Sequence, residues 1–184
     1  MTDQTDPHGV DAEAVPQRAV IVGVIPEQPA RVLREAARYA ALFSAPLIVA
    51  HVDVTRFVTY EDPDGYVHSA PIDIDVSSGE ALLAVVRDAA TAALEGTTVE
   101  WSLQQLVGDP ALAIKGLAER SDARLIVVGT RRRGFGETIR EFFTGSVAAR
   151  LAHRQSRPIL VVPLEEPAHD DEELWPDGDR KSTR

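Results

Sequence analysis

Residues 125–163 read LIVVGTRRRGFGETIREFFTGSVAARLAHRQSRPILVVP, and no other stretch limits the fold as severely. The apolar run at 125–128 suits a strand buried on both faces, and it stops at Gly129. A loop rich in glycine and arginine follows, then Gly145-Ser146, a helical stretch from about Val147 to His153, and a second apolar strand at 158–162. Strand, loop, helix, strand is the parallel crossover unit. The N–H groups of Gly145, Ser146 and Val147 would point out of that helix start, which is therefore a ready site for an anion and above all for phosphate.

The chain upstream repeats the theme. Residues 18–24 (RAVIVGV) form a short β-branched run, a buried strand. Pro26 and Pro29 end it and suit a helix start. At 30–43, Val32, Leu33, Ala36, Ala37, Ala40 and Phe43 recur at helical spacing, with arginines elsewhere. Residues 46–52 (PLIVAHV) form a second strand with proline at its first position. Residues 55–77, with Pro63, Asp64-Gly65 and Pro71, show no helical period and read as a long surface excursion, a flap or a mobile segment. Ser78 suits an N-cap, a helix runs over 80–94, and Gly96 ends it. Residues 97–107 alternate, as in a strand near a sheet edge. Gly108-Asp109-Pro110 then opens a third helix, 111–120. Strands and helices alternate throughout, which predicts a three-layer, doubly wound α/β sandwich with a five-stranded parallel sheet and helices on both faces. Ligands of such sheets sit beyond the carboxyl ends of the strands, where the loops after the first and fourth strands meet.

Charge and composition remove several function classes. The chain has 184 residues, enough for one domain with a full core, and no cysteine, which removes disulfides, thiolate metal sites and thiol nucleophiles. The net charge of −10 is uneven: residues 1–17 carry −4, residues 164–184 carry −5, and the segment between them −1. The division expected is an acidic, disordered tail at 1–17, an α/β domain at 18–163 and a second acidic, disordered tail at 164–184. Leu174-Trp175 is a small apolar element inside the second tail. A near-neutral domain with acidic tails argues against nucleic acid as a partner. No apolar run approaches the ~18 residues of a membrane span, and the acidic, polar start is unlike a signal peptide, so the expected location is the cytoplasm.

Several motifs together have a familiar form: Gly23-Val24 after the first strand, His51-Val52 closing the second, VGDPALAI at 107–114, and the LIVVGT, GSVA and RPILVVP elements of 125–163. In these the chain resembles the universal stress protein family over residues 18–163. The resemblance implies strand order 3-2-1-4-5 and a homodimer, often formed through the last strand. It also implies a regulatory role in stress response through a protein partner that the sequence does not name. One branch of the family binds ATP or AMP, with Mg²⁺ accompanying ATP, through the pattern glycine, two residues, glycine, nine residues, glycine, then Ser or Thr. Here Gly129 matches the first glycine and Gly145-Ser146 the last pair, while Arg132 occupies the second glycine's place and the loop is three residues longer. Gly134 and Gly136 are the substitutes at altered spacing. The Asp that would fill the place of the acidic residue binders of the family carry after the first strand is missing from Val24-Ile25-Pro26-Glu27, where Glu27 stands two residues late.

The nucleotide site expected on this resemblance comprises Val24, Val52, Gly129, Arg131, Arg132, Gly134, Gly136, Gly145, Ser146 and Val147. Phosphates would lie on the glycines and Ser146, and adenine near Val24 and Val52. Two readings of Arg131-Arg132-Arg133 stay open: guanidinium forks on phosphate, or a solvated loop paired with Glu137, Glu141 or the tails. Gly145-Ser146 likewise serves either a ligand or only a helix start. Phe142-Phe143 suits core or dimer packing, and His51 a structural role. No histidine pair has metal-ligand spacing, so no metal site of the protein's own is expected. No nucleophile elbow and no GxxxxGK[ST] loop occur, so the expectation is a binding module and not an enzyme, with slow incidental ATP hydrolysis as the upper limit. The alternative is a stress protein without nucleotide that acts through its dimer surface, the 55–77 excursion or its tails.

Overall fold

The computed structural model describes residues 15–26, 30–54, 56–61, 67–71, 77–130 and 147–164, with the backbone alone at 56–61, 67–71 and 77–78. In chain order the elements are β1 (Val20–Val24), α1 (Ala30–Leu42), β2 (Leu47–Asp53), β3 (Arg56–Glu61), β4 (Val67–Pro71) and α2 (Ser77–Ala93). They continue with β5 (Trp101–Val107), α3 (Pro110–Arg120), β6 (Leu125–Gly129), α4 (Val147–Arg154) and β7 (Ile159–Val162). Five strands pair in parallel in the order β5-β2-β1-β6-β7, which is 3-2-1-4-5 counted along the sheet's own strands.

Alternation along the central strand divides the core. Val20, Val22 and Val24 point to one face, where α1 covers them with Val32, Leu33, Ala36, Ala37 and Ala40 and α2 adds Val86, Ala90 and Ala93. Ile21, with Ile48 and Ala50 of β2 and Ile126 and Val128 of β6, points to the other face. There it meets Ala111, Ile114, Leu117 and Ala118 of α3 and Leu151 of α4. Each fully buried Val, Leu or Ile contributes about 1.5–3 kcal/mol. Gly23 shares that second face, and a Cβ there would stand 2.9 Å from Ile114 Cδ1. The missing side chain lets α3 approach β1 closely.

Local signals set the helix boundaries. The Asp109 carboxylate accepts the Leu112 N–H at 3.0 Å and Pro110 occupies the first turn of α3. The α2 connection turns back at Gly96, whose φ is +76°, in the left-handed region that glycine enters freely. β5 lies at the sheet edge, as its mixed polarity predicts.

Most element ends move by a residue or two, and three segments differ more plainly from the sequence reading. Residues 55–77 contain regular structure: β3 and β4 form an antiparallel two-stranded sheet with an irregularity between Val58 and Tyr60. The β-branched and aromatic residues of RFVTYE, with Asp64-Gly65 before VHSAP, carry that hairpin signal, which Pro63 and the acids obscured. Ser78 lies inside the first turn of α2, because the helix begins at Ser77. The 97–107 strand starts only at Trp101, since Thr97 N–H still turns back to Leu94 O.

Candidate functional site

β1 and β6 are neighbours and parallel, with Gly23 opposite Val128. From β1 the chain passes through α1 to β2 on one side, and from β6 through α4 to β7 on the other. The strand order therefore reverses between them, and a crevice at their carboxyl ends follows. Gly129 closes β6 there, half-buried. Thr130 pins the start of the following loop: its N–H donates to Val162 O at 2.9 Å, and its Oγ1 accepts the Leu164 N–H at 3.0 Å. Val147, half-buried, opens α4 and packs with Ala148 against the core shared by α3 and α4. His153 and Arg154 occupy the last turn of α4, where cations complement the helix dipole.

Of the ten expected site residues, Val24, Val52, Gly129 and Val147 are described, all toward the carboxyl-end edge. Arg131, Arg132, Gly134, Gly136, Gly145 and Ser146 lie outside the described residues, as do Arg133, Phe142-Phe143, Glu27 and Leu174-Trp175. One expectation changes. Val24 and Val52 were to seat one ring together, but Val24 is buried in the α1/α2 core while Val52 packs toward the α3/α4 core. A sheet separates their side chains, because pleating sends them to opposite faces. Only their backbones and neighbours can serve one ligand jointly. The Val24 carbonyl already has a neighbour, His51 Nδ1 at 3.3 Å, a hydrogen bond when that nitrogen carries the proton. His51 is buried and ties the ends of β1 and β2, the structural role its position suggested.

Several residues at this edge escaped sequence reasoning. Ile25 and Val54, directly after β1 and β2, are 64% and 59% exposed although aliphatic. Leu112 in the first turn of α3 is exposed as well. An apolar residue just past a strand end was the available signal. Asp53 extends β2 by one residue and is buried; its carbonyl accepts the Gly108 N–H at 3.1 Å. One Asp53 carboxylate oxygen stands 3.0 Å from where a Gly79 Cβ would sit, beside the first turn of α2, where negative charge is favoured. Asp109 also carries a second load. Its Oδ2 meets Arg150 of α4 at 2.7 Å, so the caps of α3 and the first turns of α4 are held together. Burial pushes the Asp109 carboxyl up, but hydrogen bonds from the Leu112 N–H and Arg150, with the guanidinium's charge, outweigh it and hold the group below its ordinary 3.8. Among the described residues no group of three or more His, Asp or Glu is placed to hold a metal ion. No helix among them is long and apolar enough to cross a membrane.

Residues 17–163 match the model of the universal stress protein family. The chain belongs to that family. Among solved structures, a universal stress protein in complex with cAMP is 28% identical, with TM-score 0.54, over 82% of this chain and 99% of the other. A universal stress protein from Lactobacillus plantarum is 17% identical over 80% and 98%, with TM-score 0.57. One from Archaeoglobus fulgidus in complex with dAMP is 22% identical over 80% and 98%, with TM-score 0.51. These last two likenesses are of fold. Comparison with curated proteins returned no match.

Proposed function

We propose that this universal stress protein is a nucleotide-responsive regulatory module that holds an adenine nucleotide, ATP with Mg²⁺ or AMP, at the crevice between β1 and β6. One observation carries the reading: Gly129 and Thr130 leave β6 at the point where the strand order reverses, and the chain returns to the same face as α4. A loop entered through glycine and closed by a helix start is the arrangement that presents N–H groups to phosphate. Exposed Ile25 and Val54 supply apolar surface of the kind a base requires. The 28%-identical relative with cAMP supports the ligand class. In this reading Gly129, Gly134, Gly136, Gly145, Ser146 and the Val147 N–H hold phosphates, Arg131 and Arg132 neutralise them, and Val24 and Val52 contribute backbone. The module binds and signals and is not a dedicated catalyst; its place is the cytoplasm. It works as a homodimer through β7, a sheet-edge strand whose Val161 is 44% exposed.

The test is calorimetric titration with ATP–Mg²⁺, AMP and cAMP, alongside a Gly145→Val, Ser146→Ala double variant. Micromolar binding lost in the variant supports the cradle. No binding up to millimolar nucleotide removes it and favours the second reading, a nucleotide-free stress protein. That reading rests on Arg132 at the second glycine's place and on the lack of an acid at 24–26. A monomer by light scattering at micromolar concentration would remove the homodimer.

A further inference from the structure

The outer face of α1 carries a stripe of positive charge that ends in an apolar patch. Arg31, Arg34 and Arg38 are exposed and share one face by helical spacing. The same face runs on to Leu42, 68% exposed, and Phe43, 38% exposed, flanks it just past the end of α1. Tyr39 joins the patch: its ring centroid is 6.5 Å from that of Phe43, and the Arg38 guanidinium lies 5.5 Å over it. Arg38 meets Glu35 at 3.6 Å in an exposed pair, which contributes little. Arg31 and Arg34 meet no carboxylate among the described residues.

Such a stripe fits an acidic peptide with an aromatic anchor beyond its acids, and the chain contains one. Residues 165–175 read EEPAHDDEELW. Their point of departure is defined. Leu164 is tied to Thr130 at the end of β6 and packs against the core beneath α1 and α2. α1 begins at that same edge, because it follows the end of β1 in a parallel sheet, and it runs back down the sheet. A segment leaving Leu164 along α1 therefore meets Arg31, Arg34 and Arg38 first and Leu42 and Phe43 last. The acids and the Leu-Trp pair come in the matching order. The reach suffices: Arg31 to Leu42 spans about 16 Å of helix, and eleven extended residues span up to about 36 Å. The acidic residues 1–14 fit less well. They depart from Val15, which packs on the α3/α4 face, and they contain no Phe, Tyr or Trp.

We propose that residues 165–175 dock back on α1 of their own chain. Asp170, Asp171, Glu172 and Glu173 lie on Arg31, Arg34 and Arg38, and Leu174-Trp175 lies on the patch of Tyr39, Leu42 and Phe43. Tethering makes weak contacts effective by fixing a high local concentration.

The chain has two tryptophans, so the Trp101→Phe full-length protein reports on Trp175 alone. The difference spectrum between wild type and Trp175→Ala gives the same quantity with β5 untouched. Trp175 emission should be blue-shifted and acrylamide quenching about twofold weaker than in a free 165–178 peptide, with the protection lost between about 0.1 and 1 M salt as the screening length falls from about 10 to 3 Å. Reversing the stripe (Arg31→Glu, Arg34→Glu, Arg38→Glu) should give peptide-like quenching. Adding lysine at 170–173 in that background should restore the protection. Quenching equal to the peptide's in the unaltered protein at low salt overturns the proposal, as does protection indifferent to the stripe reversal. Protection that grows with protein concentration also overturns it, by placing the segment on another molecule.

Discussion

Asp109 caps α3 and pairs with Arg150, and the two contributions can be separated. Asp109→Asn keeps an oxygen for the Leu112 N–H, 3.0 Å away, and removes the charge that meets Arg150 at 2.7 Å. Asparagine caps as well as aspartate, so the cap survives. Both side chains are about one-third exposed, at 32% and 33%, so the pair belongs near the surface range of about 0.5–1 kcal/mol. Asp109→Ala removes the cap too, about 1 kcal/mol more, for a total near 2 kcal/mol. Arg150→Met, which keeps the apolar stem, should cost about as much as Asp109→Asn. The Asn–Met double variant should cost less than their sum by about 0.5 kcal/mol or more, the signature of a shared contact. Urea unfolding at pH 7, followed by tryptophan emission and far-ultraviolet dichroism, measures each value. The sign with pH follows from the lowered carboxyl. A group whose folded pKa is depressed contributes stability above its unfolded value, about 3.9, and loses it as pH falls through the folded value. The gap between wild type and Asp109→Asn should hold from pH 8 to 5 and close only below the ordinary 3.8. An Asn variant as costly as Ala would refute the division between cap and charge. Strict additivity in the double variant would refute the pair.

Leu151 is the fully buried residue of the eight-residue α4, and Leu151→Ala should cost about 3 kcal/mol in urea unfolding; under 1 kcal/mol would mean that α4 is held otherwise. Gly23→Val should cost about 1–3 kcal/mol by pushing on Ile114 Cδ1, while a Gly23→Val, Ile114→Ala protein should not carry both costs in full; additive losses would show that the two do not touch. The buried Ser102 hydroxyl has no hydrogen-bond partner among the described residues, so Ser102→Ala should be neutral or stabilising by up to about 1 kcal/mol; a clear destabilisation would reveal a hidden partner.

What the chain's own order of residues determined is the succession of elements. Runs such as VIVGV and LIVVG carry the period and bulk of buried strands, the 3.6-residue spacing of Val32, Leu33, Ala36, Ala37 and Ala40 defines α1, and Asp109-Pro110 writes its own cap. These signals are local, so they survive without the fold. The motif pattern also sufficed for the family and, through it, for the strand order. The hairpin at 56–71 was legible in principle but was masked by proline and acids.

Only the tertiary structure decided which residues share a face and which distant groups meet. Val24 ends β1 and Val52 is the last residue but one of β2, yet the sheet between them sends one side chain toward α1 and the other toward α3. His51 finds the Val24 carbonyl because two strands run in register, and Asp109 finds Arg150 because α3 and α4 pack side by side. Such pairings depend on sheet register and helix packing, which arise from the sum of many small burials and from no single residue pattern. Periodicity tells a residue which side of its own element it occupies; only the packed sheet tells it what lies on that side.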